Sequence, residues 1–144
     1  MMYIDKKQYE EIIKIFPRAC VDILISDEQG RILLMLRENQ PEQGKWWFPG
    51  GRIHFGETRL DAARRKVKEE CGLDVSDLIE VATFDLFFKT ADMNYHDVTI
   101  LFKTVVSSKS EITTDNQARD YGWFSPEQCA ALDLHPYVGG NLPC

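Results

Sequence analysis

The stretch from Gly51 to Leu73 constrains this chain more than any other part of it. It runs Gly51, five residues, Glu57, seven residues, then Arg65-Lys66-Val67-Lys68-Glu69-Glu70-Cys71-Gly72-Leu73. Leu60, Ala63, Val67 and Cys71 recur at helical spacing, which predicts an amphipathic helix over 56–70 with Gly72 as its stop. On that helix Lys66, Glu69 and Glu70 share one face, because residues three and four apart are neighbours. Adjacent carboxylates repel unless a cation sits beside them, and Mg²⁺ or Mn²⁺ prefers such hard oxygen ligands. Glu57 and Arg65 are about two turns apart, close enough to pair and orient the carboxylates. The Gly50-Gly51 step lets backbone approach an ion or a phosphate where a Cβ would obstruct it.

The rest of the chain supplies a frame for this helix. Tyr9, Ile12, Ile13 and Phe16 predict a short amphipathic helix over 5–16. Two runs rich in Val, Ile and Leu, 19–26 and 31–36, flank Asp27-Glu28-Gln29-Gly30 and read as a β-hairpin. A loop with Pro41 and Gly44 follows, then Trp46-Trp47-Phe48-Pro49 and an alternating strand over 52–55. Residues 79–89 and 96–106 predict two long strands around a polar loop, and 120–124 a short one. Ser125-Pro126-Glu127-Gln128 carries the signature of a helix start. This order predicts one α/β domain over 1–144, with a mixed β-sheet between helices.

The spaced residues of 51–73 resemble the Nudix box, G-x5-E-x7-R-E-U-x-E-E-x-G-U, where U is aliphatic. Gly51, Glu57, Arg65, Val67, Glu69, Glu70, Gly72 and Leu73 match it, and Lys66 stands where the pattern has Glu. The resemblance implies a Nudix α/β/α sandwich and a hydrolase of nucleoside diphosphates linked to another group. It implies Mg²⁺, or Mn²⁺, on Glu69 and Glu70, with Glu57 and Arg65 as the orienting pair. An ammonium at 66 cannot ligate a metal. Fewer ions are therefore expected, one of them, and no mechanism can use the missing carboxylate as a base. An i, i+4 pair of Lys66 with Glu70 is also expected.

The run from Arg37 to Arg52 is similar to a Nudix subfamily with a changed box, the GDP-mannose mannosyl hydrolases, which use a single metal and attack the sugar carbon. Asp22 in the first long strand, Gln117, and Asp120-Tyr121-Gly122-Trp123 extend the similarity. By this resemblance the Gly50 carbonyl, Glu69, Glu70 and Gln117 hold the metal. Arg37 neutralises the diphosphate, and Asp22, Arg37 and Arg52 bind substrate. Arg37, Glu57, Arg65 and Glu70 form the catalytic set. The subfamily's general-base His is Ala118 here, so either another base serves, with Asp92, His96 and Asp120 as candidates by loop position, or the chain does not carry out that reaction. The alternatives are a conventional pyrophosphohydrolase attacking phosphorus and an inactive nucleotide-binding module.

A buried Asp is costly unless paired, so Asp22 implies either an Arg partner or a ligand hydroxyl. Of Trp46, Trp47 and Phe48, two are expected in the core and one on a ligand. His135 and Tyr137 fit either a pocket or a dimer interface. The formal charge of −6 opposes binding to DNA or RNA phosphates and leaves a small nucleotide as the expected partner. Cys20, Cys71, Cys129 and Cys144 have no C-x-x-C pairing and suit a reducing compartment. No run reaches the roughly 18 apolar residues of a membrane span, and the Met1–Lys7 segment has no long apolar run after its charges. A cytoplasmic protein is expected, and by the family resemblance a homodimer.

Overall fold

The architecture is set by a central strand that is apolar on both sides. The computed structural model describes residues 4–114 and 120–143. Strand β1 (Arg18–Asp27) buries Val21, Ile23 and Ile25 toward one face and Asp22 and Leu24 toward the other. That continuous burial is what a central strand of a covered sheet requires. β6 (Asn94–Val106) runs parallel to β1 along its whole length, from Arg18 beside Asp97 to Asp27 beside Val106. β5 (Ile79–Lys89) pairs antiparallel with β6 and ends the sheet on that side.

On the other side of β1 the sheet forks. β2 (Ile32–Leu36) pairs with β1 only near the turn, Ile25 with Leu33 and Ser26 with Ile32. The turn is held by the Asp27 carboxylate, which accepts from the Gln29 and Arg31 N–H groups and the Arg31 guanidinium, while Gly30 takes φ +79°. Beyond that point the strands separate, and the chain 46–52 fills the opening. β3 (Trp46–Trp47) bonds to Leu36 and Met35 of β2. β4 (Gly50–Arg52) lies antiparallel beside Asp22, Val21 and Cys20 of β1. β7 (Tyr121–Phe124) closes the outer edge of β2. The sheet is mixed, as the sequence order implies.

Helices cover both faces. α2 (Arg59–Cys71) lays Ala62, Ala63, Val67 and Cys71, all fully buried, on the face formed by Val21, Ile23, Ile25 and Leu33. On the opposite face Leu24, Leu34, Trp47, Phe48 and Phe88 pack with Cys129 of α3 (Pro126–Ala131) and Tyr137 and Val138 of α4 (Pro136–Gly139). α1 (Lys6–Ile13), capped by Asp5, lies at the end of the sheet, where the Tyr9 hydroxyl accepts from Arg18 at 3.3 Å.

Of the element boundaries that differ from the sequence expectation, two lie beside the carboxylates. The helix begins at Arg59, not 56. Gly56 sits at φ +81°, and Thr58 caps the helix by accepting from the Asp61 N–H at 3.1 Å. The strand expected over 52–55 lies at 50–52 instead, because its last bond to β1 is Ile53 N–H to the Ala19 carbonyl. The chain then turns at 54–57, and Phe55 is 96% exposed.

Candidate active site

The fork places Gly50 at the meeting point of two faces. Ile23 donates to the Pro49 carbonyl and Ile53 to the Ala19 carbonyl, so by strand alternation Asp22 and Gly50, next to the first of these links, form a non-bonded pair. Such pairs are the closer kind. A Cβ on Gly50 would fall 2.0 Å from Asp22 Oδ1 and 2.3 Å from the Val21 carbonyl oxygen. Only glycine fits. The same register turns the Gly50 N–H and C=O away from β1, and the N–H donates to Glu70 Oε1 at 3.3 Å.

Glu70 and Glu69, adjacent in sequence, are differently disposed. Glu70 is 4% exposed and lines the cleft with Gly50 and Gly51. Glu69 is exposed, and Arg65 Nη1 donates to both its oxygens, at 2.8 and 3.3 Å. Arg65 also forks onto Glu57 through Nε at 2.7 Å and Nη2 at 3.0 Å, and bonds the Arg52 carbonyl at 3.0 Å. Those hydrogen bonds from Arg65 hold the Glu57 carboxyl below the usual range. Lys66 Nζ lies 3.2 Å from Glu70 Oε2, the i, i+4 pair expected.

Asp22 faces the cleft from the other side of β4. Its Oδ2 accepts from the Tyr137 hydroxyl at 2.9 Å and the Trp47 indole N–H at 3.3 Å, and no Arg hydrogen-bonds to it among the described residues. Burial pushes its pKa up to about 7, against the pull of those two donors and of Arg37. No spacing in the sequence points to Tyr137, which arrives from α4, 115 residues away along the chain. Trp47 and Phe48 are the two core aromatics, and Trp46 packs edge-on against Phe124. His135 caps α4 and packs on Trp47 and Phe88.

Arg37 and Arg52 line the same cleft as Asp22 and Glu70. Arg37 donates to the Pro41 carbonyl at 2.6 Å and lies over the Trp47 ring. Arg52 stacks on Tyr9 at 4.9 Å, and no carboxylate among the described residues pairs with it. A second guanidinium pair, missed in the sequence, lies deeper: Arg18 bonds Asp97 through Nε at 2.6 Å and Nη2 at 2.8 Å. Of the three residues offered as replacement bases, none lines this cleft. His96 stacks on Phe87 on the opposite side of β6 from Asp97, Asp92 lines a neighbouring hollow with Tyr9 and Tyr95, and Asp120 is exposed. Gln117 and Ala118 lie outside the described residues.

The donor set here is Glu70, the Gly50 carbonyl and, one helix position away, Glu69: hard oxygens suited to a divalent cation. Among the described residues no three His, Cys, Asp or Glu side chains converge on one point.

The model of the NUDIX domain matches residues 16–140, which takes in the whole fork, the helix of carboxylates and α4. The chain belongs to the Nudix hydrolase family. Among its relatives, the low-salt glycan biosynthesis protein Agl8 of Haloferax volcanii is 33% identical over 135 residues, covering 91% of this chain and 83% of that protein. The nucleoside triphosphatase NudI of Salmonella typhimurium is 32% identical over 126 residues, 82% of this chain and 89% of that one. A MutT Nudix hydrolase of Burkholderia pseudomallei superposes with a TM-score of 0.68 at 28% identity, covering 78% of this chain and 86% of that one. The Nudix domain of Shewanella oneidensis NrtR, solved with ADP-ribose, shares the fold: TM-score 0.70 at 19% identity, over 91% and 90% of the two chains. Nudix hydrolases as a family use divalent cations. No helix among the described residues of this member is long and apolar enough to cross a membrane.

Proposed function

We propose that this Nudix hydrolase cleaves a nucleoside diphosphate linked to a sugar, of the GDP-mannose type, with one Mg²⁺ or Mn²⁺ ion. The observation that carries the reading is the convergence in one cleft of an oxygen-donor corner, Gly50 with Glu70, and two guanidiniums, Arg37 and Arg52. A diphosphate needs both kinds of partner. The relationship to a glycan biosynthesis protein supports a sugar as the linked group.

Glu70, the Gly50 carbonyl and Gln117 are the ligands in this reading, with Glu69 beside them. A cation held there would offset charge developing on the departing diphosphate. Arg37 and Arg52 bind the phosphates. Asp22 takes a substrate hydroxyl, its carboxylate fixed by Tyr137 and Trp47. Glu57 and Arg65 hold the start of α2 against β4 and keep Glu69 turned to Arg65. The whole chain is one catalytic domain, and its buried cysteines Cys20, Cys71 and Cys129 suit the cytoplasm. A homodimer joined along β5 would cover the sheet's outer edge and its exposed Ile79, Val81 and Phe87.

The test is turnover of GDP-mannose, other nucleotide sugars, dinucleotides and nucleoside triphosphates with Mg²⁺, in heavy-oxygen water, with products read by phosphorus NMR and mass spectrometry. Free sugar carrying the label, with intact nucleoside diphosphate, is the expected result. Label on phosphate would replace it with the phosphorus-attacking reaction, toward which the NudI relationship leans. Ion binding with no turnover of any substrate would make the chain a nucleotide-binding module.

A further inference from the structure

Lys66 is where this chain departs from its family's box, and its side chain is specifically seated. Its ammonium lies 3.2 Å from Glu70 Oε2 and 3.8 Å from Glu69 Oε1, and the side chain is 19% exposed. Its stem rests on Gly51: a Cβ there would fall 2.7 Å from Lys66 Cε and 3.1 Å from Nζ. Glu70 is thus held on both oxygens, Oε1 by the Gly50 N–H and Oε2 by Lys66. A buried carboxylate needs such partners.

The local charge shows what the lysine replaces. Glu57, Glu69 and Glu70 face Arg65 and Lys66, leaving one negative charge. A carboxylate at 66 would leave three. The difference is two elementary charges, the charge of one divalent ion. We infer that Lys66 is a tethered cation standing in for one metal ion of the site, positioning Glu70 and limiting the chain to a single divalent ion that must share Glu70 with the ammonium. This rests on the cation site proposed at Glu70.

The test is binding of Mn²⁺ to the full chain without substrate, counted by electron paramagnetic resonance and calorimetry, with folding followed by circular dichroism. Wild type and Lys66→Arg are expected to bind one ion with similar affinity, because both keep the charge. Lys66→Met removes a like charge a few ångström from the ion and is expected to bind one ion at least about tenfold more tightly. Lys66→Glu is expected to bind a second ion. If Lys66→Met and Lys66→Glu fold and keep the wild-type number and affinity, the inference is wrong while the Glu70 site stands. If no variant, wild type included, binds Mn²⁺, the Glu70 site itself is wrong and the inference falls with it.

Discussion

Replacing Asp22 with Asn should change how stability depends on pH in a way few surface changes could imitate. In the folded chain burial raises the Asp22 carboxyl from its ordinary 3.8 to about 7. Between those values the unfolded chain has lost this proton and the folded chain retains it. The folded state then binds more protons, so this group's contribution to stability falls as pH rises. About three pKa units at 1.36 kcal/mol each give about 4 kcal/mol across the window. Asn keeps an acceptor for the Tyr137 hydroxyl and the Trp47 indole N–H but has no charge to bury. Asp22→Asn is therefore expected to unfold like wild type near pH 4.5 and to be more stable by about 2–4 kcal/mol near pH 8. Urea unfolding of the chelator-treated protein, followed by tryptophan fluorescence at a series of pH values, measures it. The difference between the two curves cancels other groups, including His135, whose pKa burial lowers. A difference that stays constant from acid to alkaline pH would refute the argument.

Three further outcomes follow from the site. Gly50→Ala must push a methyl group into Asp22 and the Val21 carbonyl; it is expected to cost at least about 3 kcal/mol and a large fall in melting temperature. Arg65→Lys keeps the charge but loses the forked contacts to Glu57 and Glu69; a loss of about 1–3 kcal/mol with a lower kcat is expected, read by thermal unfolding and steady-state kinetics. Arg52→Ala removes a guanidinium that stacks on Tyr9 and is assigned to the phosphates. It is expected to raise KM at least about tenfold, while thermal stability moves by about 1 kcal/mol or less.

Much of the site was legible because it is local. Lys66, Glu69, Glu70, Arg65 and Glu57 lie within 14 residues; helical spacing places the first four side by side, and Glu57 reaches Arg65 from the turn just before the helix cap. What helical spacing did not show is which carboxylate turns inward. Glu70 is buried and Glu69 exposed because α2 packs through Ala62, Ala63, Val67 and Cys71, and that stripe includes Ala62, which the sequence reading passed over. The strand near 50–52 was shifted by two residues, since an alternating pattern cannot tell where pairing with β1 ends. Asp22 was legible only as a buried charge needing a partner. Its partner, Tyr137, comes from a four-residue helix in a tail without period, so nothing local announces it. Loop position alone does not locate a base: strand alternation sends His96 to the face opposite Asp97 and Thr99.

The fork between β1 and β2 explains why a sheet with helices on both faces can build one site from both. Asp22 belongs to the face covered by α4, and Glu70 to the helix covering the other. In an unbroken sheet the backbone ladder would separate them. Here β4 enters the opening, and Gly50 touches both at once: its missing Cβ admits Asp22 on one side, and its N–H reaches Glu70 on the other. Substituting Gly50 should therefore disturb the two carboxylates together, whereas changes at Tyr137 or Lys66 should disturb one each. Tyr137→Phe removes a donor from Asp22 alone and is expected to leave Mn²⁺ binding at Glu70 within about twofold of wild type, while costing about 1–3 kcal/mol of stability near pH 8. A large change in ion binding in that variant would mean that the two faces are coupled by more than the glycine between them.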